Sequence, residues 1–296
     1  MKKIKDIFQQ NKLTYSFELF PPKTEQGFQN LLSTIERLCA LRPNFISCTY
    51  GAGGGSRDKT LDVVEHIQIK NNVPGLAHLT CVLHTKTEIK EILEDIKSRG
   101  IKNVLALRGD PPKDNPHWQA GKDNFKYSSE LCAFIREHFG DHFTIGVAGF
   151  PEGHLLCRDR DEDARYLKMK VDNGADFVIT QLFFDNQDYF DYVRRLREIG
   201  VTAPVIPGIL PITNYPNLVK FCALCGAAIP EKVKRIFEPI QNNEEATIQA
   251  GIAFAVSQGR GLLQGGAPGL HFYCLNKLSP TDKILTEIRR PILSIP

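Results

Sequence analysis

The sequence has no apolar run approaching the ~18 residues that a membrane span needs. Met1 to Gln10 carries three lysines, but no apolar core follows that could serve a secretory signal. A cytoplasmic protein is therefore expected. There is no long run of one charge sign either: 37 basic residues face 34 acidic ones, a formal charge of +3, which gives nucleic acid or a membrane surface no electrostatic footprint. The acidic cluster Asp159 to Asp163 is interrupted by Arg160 and reads as a solvated helix start. Cysteines number eight, yet they are scattered within apolar patterns such as Ile46-Ser47-Cys48 and Leu79-Thr80-Cys81. That placement suits small buried thiols in a reducing compartment and not a disulfide framework.

Several catalytic signatures are missing as well. Cys222 and Cys225 have a metal-like spacing but no second pair or nearby histidine, and Gly140 and Asp141 break the helix that would align His138 with His142, so no metal is expected. No Gly-x-Ser-x-Gly elbow occurs. The glycine run Gly51 to Gly55 ends in Ser56 where a dinucleotide fingerprint needs its last glycine, and Val73 to Ala77 offers no acidic residue about twenty positions on. Phosphate binding and a flexible active-site loop remain equal readings of that segment.

What is present is alternation. With 296 residues, 42% hydrophobic and 24% charged, the chain has the composition of an ordinary globular protein. Strand-like runs occur at Tyr15 to Phe20, Phe45 to Tyr50, Leu76 to Val82, Asn103 to Leu107, Thr144 to Gly149, Phe177 to Phe183, Val205 to Ile209 and Leu270 to Cys274. Helical periodicity fills the intervals: Glu25 to Leu41, Arg57 to Asn71, Lys86 to Arg99, Tyr127 to Phe139, Asp161 to Asn173, Gln187 to Ile199, Asn214 to Gly226, Glu244 to Gly259 and Pro280 to Arg289. Glycines 100, 140, 174, 200 and 226 fall where helices should stop. Eight such units over roughly 250 residues predict an α/β protein, a (β/α)8 TIM barrel forming a single domain over 1–296, with room for an extra helix before the last strand.

A barrel of this kind builds its active site at the C-terminal strand ends. Polar residues collect there: Glu18, Thr49 and Tyr50, His78 and Thr80, Arg108 and Asp110, Glu152 and His154, Gln181 and Asp185. Glu18 is the odd one, a carboxylate among Phe17, Leu19 and Phe20 just before Pro21 and Pro22. Desolvation there raises a carboxyl pKa toward values useful in acid catalysis. A strand-end glutamate that simply faces solvent is the alternative. The turn Arg108-Gly109-Asp110 either grips the polar edge of a ligand or closes on itself as an ion pair.

Seven blocks in order carry a resemblance: Phe17-Glu-Leu-Phe-Pro-Pro22, Thr49-Tyr-Gly-Ala52, His78-Leu-Thr-Cys81, Ala106-Leu-Arg-Gly-Asp110, Thr180-Gln-Leu-Phe-Phe-Asp185, Ile206-Pro-Gly-Ile-Leu-Pro211 and His271-Phe-Tyr-Cys-Leu-Asn276. The chain resembles the methylenetetrahydrofolate reductases over nearly its whole length, in the bacterial form that consists of the catalytic barrel. The resemblance implies an FAD-dependent enzyme of one-carbon metabolism that reduces 5,10-methylenetetrahydrofolate to 5-methyltetrahydrofolate, which serves methionine synthesis. Electrons come from NAD(P)H by ping-pong kinetics, and a homo-oligomer is implied.

It implies that Glu18 protonates the folate N10 and that Asp110 lies near both flavin and pterin. Thr49, His78, Arg108, Gly109, Asp110, Tyr127, His154, Asp163 and Lys170 match positions that contact FAD; Gln181, Phe221, Tyr273 and Lys277 match folate-side positions. Three positions depart from the bacterial relative compared: Phe150 stands for Tyr, Met169 for Arg, and Lys277 for Arg. A pterin-binding barrel without flavin and a catalytically silent folate-binding protein are the rival readings.

Overall fold

A computed structural model describes residues 1–10, 13–50, 57–111, 115, 117–157 and 159–290. The glycine run at 51–56 and Pro112 lie outside the described residues. The order is α1 (Ile4–Gln10), β1 (Thr14–Leu19), α2 (Glu25–Cys39), β2 (Phe45–Cys48), α3 (Arg57–Asn71), β3 (Gly75–Thr80), α4 (Lys86–Ser98) and β4 (Asn103–Leu107). Then follow α5 (Ser128–Phe139), β5 (Thr144–Gly149), α6 (Arg160–Asp172), β6 (Phe177–Thr180), α7 (Asn186–Glu198), β7 (Val205–Ile206) and β8 (Gly208–Ile209). The chain ends with α8 (Tyr215–Cys225), α9 (Glu231–Phe237), α10 (Glu244–Gln264), β9 (Gly269–Tyr273) and α11 (Thr281–Arg289).

Every strand pairing is parallel, in the order β7-β6-β5-β4-β3-β2-β1-β9-β8. β7 and β8 are two halves of the single strand predicted at 205–209. Pro207 parts them because it has no N–H to give a ladder, although its carbonyl still accepts the His271 N–H at 3.0 Å. One half pairs with β6 and the other with β9, so the two ends of the sheet meet across the proline. The result is the (β/α)8 barrel that the alternation predicts.

The packing has three parts. Leucine, isoleucine and phenylalanine on the outer strand faces meet the helices. On α4 the buried set is Ile89, Ile92, Leu93 and Ile96, the i, i+3, i+4, i+7 stripe of an amphipathic helix, with each side chain worth roughly 1.5–3 kcal/mol when fully buried. α4 is also closed by a capping box between Thr85 and Glu88. A second cluster lies inside the barrel, where Phe45, Leu76, Leu105, Phe177 and Ile206 pack with Ile4 and Ile7 of α1. α1, which the sequence pattern did not predict, thus lies against the barrel interior, its first N–H taken by the Asn103 side chain at 2.8 Å. The third cluster lies under α8 and α9.

Five strands end earlier than predicted: β1, β2, β3, β6 and β9. At β6 the reason is local: Gln181 Oε1 takes the Leu182 N–H at 2.9 Å, which removes that amide from the ladder. α9 is a further helix absent from the prediction, in the interval where room for one was noted, and α10 runs to Gln264 instead of Gly259. No helix of the described residues is long and apolar enough to cross a membrane.

Candidate active site

Strand pleating places Ser16 and Glu18 on one face of β1, and the parallel register sets them opposite His271 and Tyr273 of β9. The consequence is a buried chain of polar groups at the barrel mouth. Ser16 Oγ lies 2.8 Å from His271 Nδ1. His271 Nε2 lies 3.5 Å from Glu18 Oε2, and His78 Nε2, on β3, approaches the same oxygen at 3.4 Å. All four residues are at most 7% exposed. Neither Nε2 has a close hydrogen-bond partner; both nitrogens aim at one carboxylate oxygen from just beyond bonding distance.

The electrostatics correct one expectation. Burial does push the Glu18 carboxyl up, and it is the largest single influence, but the close approach of His271 and the charges of His78 and His271 outweigh it. Glu18 is therefore held below the usual carboxylate range, not above it. His78 pays for the same burial: desolvation lowers it to about 4, with the Glu18 charge pulling it back up and His271 lowering it further. The strand sequence showed the apolar neighbours of Glu18 but not its two imidazoles.

A second group forms at the ends of β4 and β5. Burial, Lys170 and Arg108 lower the His154 imidazole, and Asp110 raises it, so these charges share one electrostatic neighbourhood. His154 Nδ1 accepts the Leu156 N–H at 3.1 Å, which leaves Nε2 available, and its ring meets Phe150 edge-on at 4.6 Å. Lys170 Nζ donates to Ala148 O at 3.0 Å and stands 5.8 Å from the centre of the Phe150 ring. Burial lowers Lys170 and Asp163 supports it; Asp163 is itself pushed up to about 6 by burial, against Lys170 and the His154 N–H. Gly109, at φ +82°, lets the Arg108–Asp110 turn cross β3 closely, since a Cβ there would lie 2.7 Å from Val82 Cγ1 and 2.9 Å from Thr80 Cβ. Arg108, Lys170 and His154 could together hold the phosphate portion of a cofactor.

The remaining candidates surround these groups. Thr49 is half-buried after β2, its N–H on Leu19 O and its carbonyl accepting the Thr60 hydroxyl. Gln181 follows β6, its Oε1 accepting the Leu182 N–H, which leaves its NH2 as the end that can donate to a ligand. Tyr273 crosses from β9 to β6 and gives its hydroxyl to Thr180 O at 2.6 Å. Phe221 is 41% exposed on α8, and Tyr127 is 52% exposed before α5. Lys277 and Met169 are exposed. Asn276 clamps the end of β1 by taking the Phe20 N–H at 2.7 Å and returning a bond to Phe20 O at 2.9 Å.

Ser16 and His271 were missed as site residues. The available signal was their spacing: each stands two residues from another polar candidate on its strand, and so on the same face. Among the described residues no group of three His, Cys, Asp or Glu could hold a metal ion.

Comparison with known proteins agrees in one direction. The family model described as methylenetetrahydrofolate reductase matches residues 3–289. "Methylenetetrahydrofolate reductase (NADH) 1" of Arabidopsis thaliana is 40% identical over 283 residues, covering 93% of this chain and 48% of that protein; the chain spans about half the length of such eukaryotic relatives. "5,10-methylenetetrahydrofolate reductase" of Salmonella typhimurium is 36% identical over 268 residues, covering 90% of this chain and 88% of that one. Among solved structures, an uncharacterized Clostridium thermocellum protein that binds two copies of 5-methyl-5,6,7,8-tetrahydrofolic acid matches with a TM-score of 0.68 at 14% identity, over 97% of this chain and 98% of that one, a likeness of fold. With the family model covering nearly all of a barrel whose mouth carries Glu18, the chain belongs to the methylenetetrahydrofolate reductase family.

Proposed function

We propose that the chain is one catalytic barrel that reduces 5,10-methylenetetrahydrofolate to 5-methyltetrahydrofolate with FAD as its cofactor and NAD(P)H as donor. The observation that carries the reading is the Ser16–His271–Glu18–His78 chain at the mouth of a barrel of this family. The groups are buried, and the two imidazoles converge on one Glu18 oxygen. The working protein is a cytoplasmic homo-oligomer in one-carbon metabolism, where its product serves methionine synthesis.

The chemistry explains why such a group is needed. The methylene carbon resists hydride while it bridges two nitrogens, so N10 must take a proton and its bond to that carbon must open, leaving a cationic N5 iminium. Glu18 delivers that proton. In the free chain its carboxyl is held low by the histidines; a ligand that fills the mouth removes the remaining water and strengthens the burial effect that already pushes it up. Ser16, 2.8 Å from Nδ1, orients the His271 ring so that Nε2 is turned toward Glu18.

The residues fit a flavin dinucleotide. His78 Nε2 is a buried nitrogen without a close bond, and Arg108, Lys170 and His154 offer cationic or donor groups for a pyrophosphate. Thr49, Gly109, Asp110, Tyr127 and Asp163 complete that contact set. When bound, the flavin supplies hydride transfer. Asp110 favours the cationic iminium. Gln181 donates to the pterin, Phe221 packs on folate or nicotinamide in turn, and Tyr273 and Lys277 face the folate.

Purification tests this directly. The chain should bind FAD, lose flavin absorbance with NADH or NADPH, and regain it with methylenetetrahydrofolate. A colourless protein that cannot be reconstituted with FAD overturns the reading.

A further inference from the structure

The turn between α8 and α9 is tied to the loop that follows β5, and the chemistry above makes no use of that tie. Glu152, half-buried in the β5 loop, receives the Ala228 N–H on both carboxylate oxygens, at 3.2 Å on Oε1 and 3.1 Å on Oε2. Three residues on, Leu155 lies against Gly226, the left-handed residue that closes α8 at φ +77°. A Cβ at Gly226 would meet the end of the exposed Leu155 side chain, and the left-handed backbone there favours glycine. Asp185, in the loop after β6, adds a third tie through Lys232 of α9 at 3.1 Å.

Two links join this seam to the site. Glu152, Gln181, Cys225 and Ala227 line one small cavity of about 10 Å³, so the seam continues to the residue that faces the pterin. α8 itself rests on that region: Leu218 and Cys222 pack with Leu182, Phe184, Leu210 and Ile212, and Tyr273 joins them. Phe221 follows directly on that helix.

We infer that Glu152 is a positioning residue whose carboxylate fixes the α8–α9 turn against the β5 loop and thereby sets Phe221 over the substrate site. The inference rests on the folate reductase reading for what Phe221 touches. Burial and the charges of Asp188 and Asp185 push Glu152 up to about 7, while the Ala228 N–H and Arg160 pull it down. From α8 the thiols of Cys222 and Cys225 face the same carboxylate and are raised in part by it. An acid costly to ionise at this place, bonded to one backbone amide, is a device for holding that amide.

The test uses the FAD-loaded full chain and the variants Glu152→Ala, Glu152→Gln, Phe221→Ala and the double variant Glu152→Ala/Phe221→Ala. Glu152→Ala should raise KM for methylenetetrahydrofolate and for NADH about tenfold with kcat within about threefold. Glu152→Gln should stay near the parent, because its amide oxygen still accepts from Ala228. Phe221→Ala should raise KM similarly, and adding Glu152→Ala to it should change little further. Multiplying effects in the double variant, or a loss confined to kcat, overturns the inference.

Amide hydrogen exchange supplies a readout free of substrate. Exchange at Ala228 and along α8 should quicken in Glu152→Ala and recover in Glu152→Gln; unchanged exchange also overturns the inference. Faster exchange in a chain whose parent reduces no folate would instead count against the functional reading and leave the seam standing. Should Glu152→Ala not fold, Glu152→Asp, which withdraws the carboxylate by one methylene, takes its place with smaller effects in the same directions.

Discussion

His271 bridges Ser16 and Glu18 with its two ring nitrogens, 2.8 Å from Ser16 Oγ through Nδ1 and 3.5 Å from Glu18 Oε2 through Nε2. Ser16 and Glu18 stand two residues apart on β1, and His271 is the register partner of Ser16 on β9. The parallel pairing of the first and last strands is thus what assembles the three groups, from residues 255 positions apart in the chain.

Replacing Glu18 with Gln removes the proton and keeps the shape. Reduction of methylenetetrahydrofolate should fall by at least about a hundredfold, while NAD(P)H continues to bleach the flavin. Stopped-flow measurement of the two half-reactions separates them; loss of both would make Glu18 structural.

Ser16→Ala takes away the 2.8 Å partner of His271 Nδ1. A buried nitrogen left without a partner costs about 1–3 kcal/mol, and the imidazole loses the contact that orients it. The folate half-reaction should slow by about tenfold with the nicotinamide half-reaction unchanged, and urea midpoints should register the stability loss. A variant with parent kinetics would show that the Ser16 bond does not serve proton delivery.

Acid should destabilise the flavin-free chain through His78. Its imidazole is held by burial at about 4 in the folded state, against the usual 6.5. The unfolded chain therefore takes up a proton that the folded chain refuses, and stability falls as pH drops from about 6.5 to about 4, by about 3 kcal/mol. Glu18 acts in the same direction: its depressed folded pKa brings stability above its usual 4.5 that is lost as pH falls through the folded value. Denaturation curves across this range should show a shallower loss for His78→Asn than for the parent; equal slopes would refute the assignment.

Gly109→Ala forces a side chain into a left-handed turn pressed on Thr80 and Val82. Strain of about 1–3 kcal/mol is expected, together with displacement of Arg108 and Asp110. Thermal melting should record the first effect, and weaker FAD retention on gel filtration the second.

Much of this was legible in one dimension. The spacing of apolar residues gave the repeating units, and the polar residues at strand ends marked the rim, because period and chain order depend on local geometry alone. The break at Pro207 was written in the sequence too, since a residue without an N–H cannot serve a ladder on both sides; only the pairing showed that this break is where the barrel closes. α1 was not legible as part of the interior, for nothing local to Ile4 and Ile7 says that Phe45 and Phe177 await them.

The sequence by itself determined the fold class, the rim of polar strand ends and the apolar sequence neighbours of Glu18. The tertiary structure decided the sign of that carboxyl's behaviour. Desolvation follows from neighbours in sequence, but Coulombic and hydrogen-bond effects fall off within a few ångströms in space. Only the lateral pairing of β3, β2, β1 and β9 in one sheet brings His78 and His271 within 3.5 Å of Glu18. The same holds for Glu152, whose partner Ala228 is 76 residues away in sequence and one hydrogen bond away in space.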